Sequence, residues 1–367
     1  VKKGIVVFFL LLLVVFIDKV FGFFVFKPNT PLWGIKNYIQ NNTSIPLYLP
    51  QPYLNYINHP DRVLENGKHQ INNWGFRHLN QISIPKPSNT LRILFLGGST
   101  TFGEVPEFNE TFSAILQEQL NDTLLSINRT FSHVECINAG LGAATSAELL
   151  TQYLFKCKYL NPDVVVLHTG INDALTTAAL PNYVYQPDYH TAKTIMQSLY
   201  PIQRWMKVVS HSNILSYIMI HLLYGKQLQS SFTKNDFFEY HNSYLWLENG
   251  NELKFSKAAN AFYNNVSELV NAVLAKQKRM LLVTEVIDSA KMPTQLAEMM
   301  LEGIAKNKDF LIEIGKENNV PVCELKKEDF NGSLFWDNDG IHVNQEGEKL
   351  KALKIKPFLI DAITQLH

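Results

Sequence analysis

Four short apolar runs govern what this chain can become. They are LRILFLG (91–97), HVECINAG (133–140), PDVVVLHTG (162–170) and RMLLVTEV (279–286). The third is β-branched and carries no charge after Asp163, the composition of a strand buried on both faces and paired in parallel. Between the runs, residues 111–125, 146–157, 257–277 and 295–319 repeat their apolar positions at helical spacing. A short run, VPVCEL (320–325), and a last helix after GIHVNQEGEKL (340–350) complete the series. Such alternation predicts a three-layer α/β/α sandwich with a mostly parallel central sheet over residues 91–367.

The N-terminus follows different rules. VKKGIVVFFLLLLVVFIDKVFGFFVF places Lys2 and Lys3 before an uncharged stretch from Gly4 to Ile17. Asp18 and Lys19 interrupt it, and the apolar run resumes to Phe26. As a helix, residues 4–26 extend about 35 Å, enough to cross a bilayer. Lys19 can snorkel, with Asp18 beside it near the outer interface. No small-x-small cleavage motif follows, so residues 1–26 are expected to be an uncleaved signal anchor and transmembrane helix rather than a cleaved signal. Lys2 and Lys3 then stay cytoplasmic and the remainder is exported.

Residues 27–90 are rich in proline and asparagine with few periodic runs, which predicts an extended stalk or cap. Within it INNWGFR (71–77) is an apolar, aromatic patch expected to be pinned to the surface of the main domain. Residues 178–256 hold many Tyr, Phe and Trp residues between two core strands and read as an insertion. Two roles remain open for it: shaping the pocket, or packing on the sheet as a subdomain.

Several function classes are excluded early. Lys+Arg and Asp+Glu both number 33, and no basic stripe marks a nucleic-acid binder. Cys136, Cys157 and Cys323 have neither metal-site nor disulfide-framework spacing and read as buried thiols. His59, His69, His78, His190, His211, His221 and His241 also lack ligand spacing. No metal and no cofactor is expected.

What remains is a set of four loops following the strands: GGSTTFG (97–103), NAGLGAATS (138–146), HTGINDA (168–174) and DNDGIHVN (337–344). In an open α/β sheet such loops line the ligand crevice. Together they supply a hydroxyl, close-approach glycines, an asparagine amide and an Asp-x-x-His pair, the inventory of serine-based acyl transfer. The Gly-x-Ser-x-Gly elbow of α/β-hydrolases is absent because Thr101 occupies its last position.

These four blocks, in this order, resemble those of the SGNH (GDSL-like) hydrolases, whose sheet is flavodoxin-like. The resemblance covers about residues 91–360, and INNWGFR is similar to a segment preceding the first block in membrane-anchored bacterial members. It implies Ser99 as nucleophile, His342 as base and Asp339 as the carboxylate holding the imidazole. Gly170 and Asn172 match the third block, with Asn172 an oxyanion donor beside the N–H of Ser99. The glycine-loop donor is Gly142 or, one register later, Ala143. Gly98 departs from the family name, which has Asp there. Asp337 is an alternative to Asp339 in register, and Asp173 reads as a cap or loop brace. His168, Tyr185 and Tyr189 are candidate substrate contacts.

The resemblance implies an extracytoplasmic serine esterase at a bacterial cytoplasmic membrane, single-pass, acting on an ester substrate. An O-acylated, chiefly O-acetylated, carbohydrate is the expected substrate. Two alternatives stand beside it. A sugar hydroxyl that outcompetes water makes the same residues an O-acetyltransferase of an envelope or secreted polysaccharide. A retired site makes the chain a polysaccharide-binding or assembly protein on the same scaffold.

Overall fold

The computed structural model describes residues 2–27, 31–41, 48–51, 53–60, 71–78, 80–128, 130–174, 204–229, 260–292, 294–336 and 339–366. The first helices in chain order are α1 (Lys2–Val25), α2 (Pro31–Asn41), α3 (Ser99–Phe102), α4 (Phe112–Ile127) and α5 (Ser146–Phe155). After them come α6 (Arg204–Ser210), α7 (Asn213–Gln229), α8 (Ala261–Leu274), α9 (Thr294–Asn318) and α10 (Gln345–Thr364). The strands are β1 (Tyr48–Gln51), β2 (Asn55–Asn58), β3 (Thr90–Gly97), β4 (His133–Gly140), β5 (Val164–His168), β6 (Arg279–Val283) and β7 (Val322–Cys323). Two compact units result: residues 1–49 with 188–245, and residues 50–187 with 246–367.

In the larger unit β3 to β7 form one sheet of order β4-β3-β5-β6-β7, every pair parallel. The chain reverses direction across the sheet between β3 and β5, the crevice where doubly wound folds hold ligands. Register brings Gly97 opposite Gly140 on one side and His168 on the other. The segments that follow these three residues therefore emerge side by side.

Strand residues alternate between two apolar layers. Leu91, Ile93, Phe95, Val164 and Val166 pack in one cluster with Phe112, Leu116 and Leu120 of α4 and Ile355, Leu359 and Ile363 of α10. On the opposite face Leu94, Leu96, Val165, Leu167 and Leu282 are equally buried, where α8 packs on α5, α9 and β6. Each fully buried Val or Leu side chain contributes about 1.5–3 kcal/mol, so a charge midway along β5 would be prohibitive. Helix starts are fixed locally: Thr145 and Glu148 make a capping box on α5, and Asn260 accepts from the Tyr263 N–H at the start of α8.

INNWGFR packs against the sheet of the larger unit. Ile71, Asn72, Phe76 and Arg77 are buried, and Arg77 pairs antiparallel with Asn138 at the open edge of β4. Covering that edge removes unpaired backbone groups. The Arg77 guanidinium lies 5.0 Å over the Phe102 ring and donates to the carbonyls of Phe102, Gly103 and Pro106.

In the smaller unit, residues Lys3–Val25 are long and apolar enough to cross a membrane by length and composition. Phe26 and Ile39 form a small core with Met206, Met219 and Ile220. The described part of the expected insertion, α6 and α7, thus packs on α1 and α2.

Candidate active site

Ser99 opens α3, directly after β3, and is buried at 8% exposure. Gly97 precedes it where Thr101 and the His168 carbonyl leave no room for a Cβ. At Gly98 a Cβ would stand 2.6 Å from Asn172 Nδ2. The missing side chain at 98 lets the Asn172 amide lie against this turn. Gly103 ends α3 in the left-handed conformation at φ 77°, a geometry open to glycine at no steric cost.

Asn172 Nδ2 donates to the Ala144 carbonyl at 2.8 Å, joining the third loop to the second. Of the two candidates in that second loop, Ala143 takes the left-handed conformation at φ 57°. Gly142 instead has its carbonyl held by Tyr56 Oη at 2.7 Å. Gly170 has φ 133°, and its carbonyl accepts from Asn307 Nδ2 at 2.7 Å. Asp173 is fully buried and accepts from Ser146 N at 2.9 Å and Ser146 Oγ at 2.6 Å. It therefore braces the start of α5.

The last loop carries the expected acid–base pair, Asp339 and His342. Asp339 Oδ2 lies 2.6 Å from His342 Nδ1. Asp339 Oδ1 accepts from Ile341 N at 2.8 Å and His342 N at 3.2 Å. Gly340, with φ 71°, makes the turn between them. Asp337 lies outside the described residues. With its Nδ1–H directed to Asp339, the imidazole presents the Nε2 lone pair as base. That Nε2 is buried without a hydrogen-bond partner among the described residues, and Glu104 Oε2 stands 3.9 Å away.

Burial alone would lower the His342 pKa; the Asp339 hydrogen bond and the Glu104 charge outweigh it, and the net shift is upward. Burial would raise the Asp339 pKa, but the His342 contact and two backbone N–H groups hold it below the usual carboxylate value. The pair is thus set as a carboxylate and a basic imidazole.

His168 is not a substrate contact. It is 1% exposed, with Nε2 3.0 Å from Glu285 Oε2 and Nδ1 3.2 Å from Thr101 Oγ1. Both ring nitrogens face partners beneath α3, so none reaches a ligand. Tyr185 and Tyr189 lie outside the described residues.

Other residues beneath the site were not singled out from sequence. Glu285 accepts from Thr100 Oγ1 at 2.8 Å. Burial would raise its pKa, but His168, Lys351 and Thr100 bring it down. Lys351 Nζ donates to the Thr100 carbonyl at 2.9 Å and lies 3.2 Å from Glu348 Oε1. Glu348 in turn accepts from the Phe112 N–H at 2.8 Å. The one available signal was a carboxylate, Glu285, immediately beyond a buried strand.

The family model described as GDSL-like Lipase/Acylhydrolase matches residues 93–355. No curated protein matches. Among solved structures, the acetyl xylan esterase AlAXEase is similar at 16% identity and TM-score 0.42, covering 73% of this chain and 99% of its own. A lipase/acylhydrolase from Enterococcus faecalis is similar at 16% identity and TM-score 0.41, covering 74% and 95%. An acetyl-xylooligosaccharide esterase mutant from Geobacillus Stearmophilus is similar at 12% identity and TM-score 0.42, covering 75% and 94%. With the family model spanning the sheet and all four loops, the chain belongs to the GDSL-like lipase/acylhydrolase family of hydrolases.

Proposed function

We propose that this hydrolase is a membrane-anchored, extracytoplasmic serine esterase that removes O-acyl groups, chiefly O-acetyl, from a carbohydrate. The observation that carries the reaction type is the 2.6 Å contact between Asp339 and His342 Nδ1, which leaves a buried Nε2 as the proton acceptor. Ser99 Oγ attacks the ester carbonyl as its proton passes to His342 Nε2. The tetrahedral oxyanion is stabilised by the Ser99 N–H, an N–H of Gly142 or Ala143, and Asn172 Nδ2. Each such donor contributes about 3 kcal/mol in the transition state. Collapse breaks the C–O bond, and the Nε2 proton goes to the leaving alcohol oxygen. Water then loses a proton to Nε2 as it attacks the acyl-Ser99 carbonyl, and collapse breaks the bond to Ser99 Oγ, which takes the proton back from Nε2 as the acid leaves.

The carbohydrate and the membrane belong to the proposal through the resemblance to anchored bacterial members and through the apolar α1. The test is mass spectrometry of the purified full chain with acetylated oligosaccharides, following free acetate and acetylated acceptor together. Acetate release that disappears in Ser99→Ala is the expected result. Transfer to a second sugar without free acetate would replace the esterase by a transferase, and no turnover of any ester would overturn both.

A further inference from the structure

Asp18, the carboxylate inside the apolar α1, is the N-terminal cap of α7. Its two oxygens accept from Ser212 Oγ at 2.7 Å, Asn213 N at 3.0 Å, Ile214 N at 3.0 Å and Asn213 Nδ2 at 3.0 Å. The first turn of any helix leaves four N–H groups without intrahelical partners and carries partial positive charge. A carboxylate within a membrane span is costly without partners. Here each feature removes the other's cost.

The approach is close. Gly22 leaves no space for a Cβ against Asn213, and Phe21 packs edge-on against Tyr217 at 5.5 Å. Ser216, Met219 and Ile220 face the core of the unit and are buried. The other face of α7 is apolar too. Leu215, Ile218 and Leu222 recur at the i, i+3, i+7 spacing of a helix face, at 50%, 48% and 79% exposure. Trp205 and Val208 of α6 are exposed as well.

We infer that α7 is a second membrane-embedded element, whose outer face, Leu215, Ile218 and Leu222, contacts the lipid of the outer leaflet. The inference rests on the anchoring proposed above and adds to it. Asp18 lies seven residues before the end of α1, about 10 Å along its axis. If α1 spans the bilayer, the start of α7 is fixed at that depth, because Asp18 bonds to its first turn. Leu215 is two residues further on. At that depth an exposed leucine meets acyl chains, so the surface that would be a liability in water is matched to its surroundings. Within the segment between β5 and β6, α7 therefore contributes to attachment, a role distinct from lining the pocket.

The test uses the full chain reconstituted in phospholipid nanodiscs, with single cysteines at Leu11, Leu215 and Leu222 carrying nitroxide labels. Cys136, Cys157 and Cys323 are buried, and labelling of the parent chain gives the background. Power-saturation measurements compare collision with oxygen, which partitions into lipid, and with a water-soluble nickel chelate. Oxygen-dominated collision at all three sites is the expected result. Lipid exposure at Leu11 with water exposure at Leu215 and Leu222 overturns the inference and leaves the anchor intact. Shielding of Leu215 and Leu222 from both reagents overturns it in favour of a protein partner or second copy. Water exposure at Leu11 overturns the anchor, and this inference with it.

Discussion

Lys351 Nζ donates to the carbonyl of Thr100, the residue after the proposed nucleophile Ser99, across 251 positions of sequence. The same ammonium lies 3.2 Å from Glu348 on its own helix, so the last helix of the chain holds the turn that carries Ser99. Lys351 and Glu348 are 2% and 1% exposed. A pair so buried is destabilising once one partner is lost, typically by about 3–5 kcal/mol. Lys351→Met is expected to lower the unfolding temperature and to reduce kcat together, measured by calorimetry and ester turnover. The double variant with Glu348→Gln should recover part of the stability, because no lone charge remains buried.

Ser99→Ala and His342→Ala should each lower turnover of a chromogenic acetyl ester by about 10³-fold or more, since such residues act as a unit. Asn172→Ala should cost about 10²–10³-fold through the lost oxyanion donor. Circular dichroism checks that each variant is folded. Wild-type turnover in folded Ser99→Ala would remove the proposed mechanism.

Gly98→Ala tests the steric account of the nucleophile turn. The added Cβ would sit 2.6 Å from Asn172 Nδ2 and push the amide aside. The expected result is a fall in kcat toward the loss from deleting the amide, about 10²-fold, with little change in KM.

Glu104 gives the pH profile its test. Its carboxylate is 3.9 Å from His342 Nε2 and favours the imidazolium, the form that cannot accept the Ser99 proton. Asp339 favours that form as well, and the Lys351 charge opposes it. Glu104→Gln should therefore lower the His342 pKa and move the acid limb of kcat/KM to lower pH. An exposed charge at this distance contributes about 1 kcal/mol in water-like surroundings, so the displacement should be about 0.7 pH unit. A limb that stays in place would show that Glu104 does not act on His342.

Arg77→Lys should destabilise nearly as much as Arg77→Ala. The planar guanidinium reaches the carbonyls of Phe102, Gly103 and Pro106 at once, and an ammonium cannot reproduce that fork. Each buried carbonyl left without a donor costs about 1–3 kcal/mol. Chemical denaturation of both variants provides the measurement.

The strands were legible in sequence because burial on both faces demands uncharged runs: β4, β5 and β6 fall inside the expected segments, and β3 begins one residue before its own. Asp339 and His342 are three residues apart, so their pairing is a property of one loop. Longer-range relationships left no comparable signal. Lys351 and Glu348 have the spacing of a solvated helical pair, and only the packing of α10 on α4 encloses them. INNWGFR reads as a pinned aromatic patch, but nothing in it shows that Arg77 is buried beside β4 with its guanidinium on three carbonyls. His168 reads as a strand residue facing the crevice, yet Glu285 and Thr101 hold both nitrogens below it. Asp18 looks paired with its neighbour Lys19, whereas its partners lie 194 to 196 positions away.

The placement of β3 between β4 and β5 has a temporal consequence. Ser99 is synthesised early, but its turn is braced by Glu285 and held by Lys351, and its proposed base is His342, all from the last third of the chain. Contacts of such sequence separation form late, after the entropy of closing the intervening loop has been overcome. A nascent or truncated chain therefore lacks the proposed base and the brace together, and under the proposed mechanism ester cleavage begins only after α10 has docked on α4.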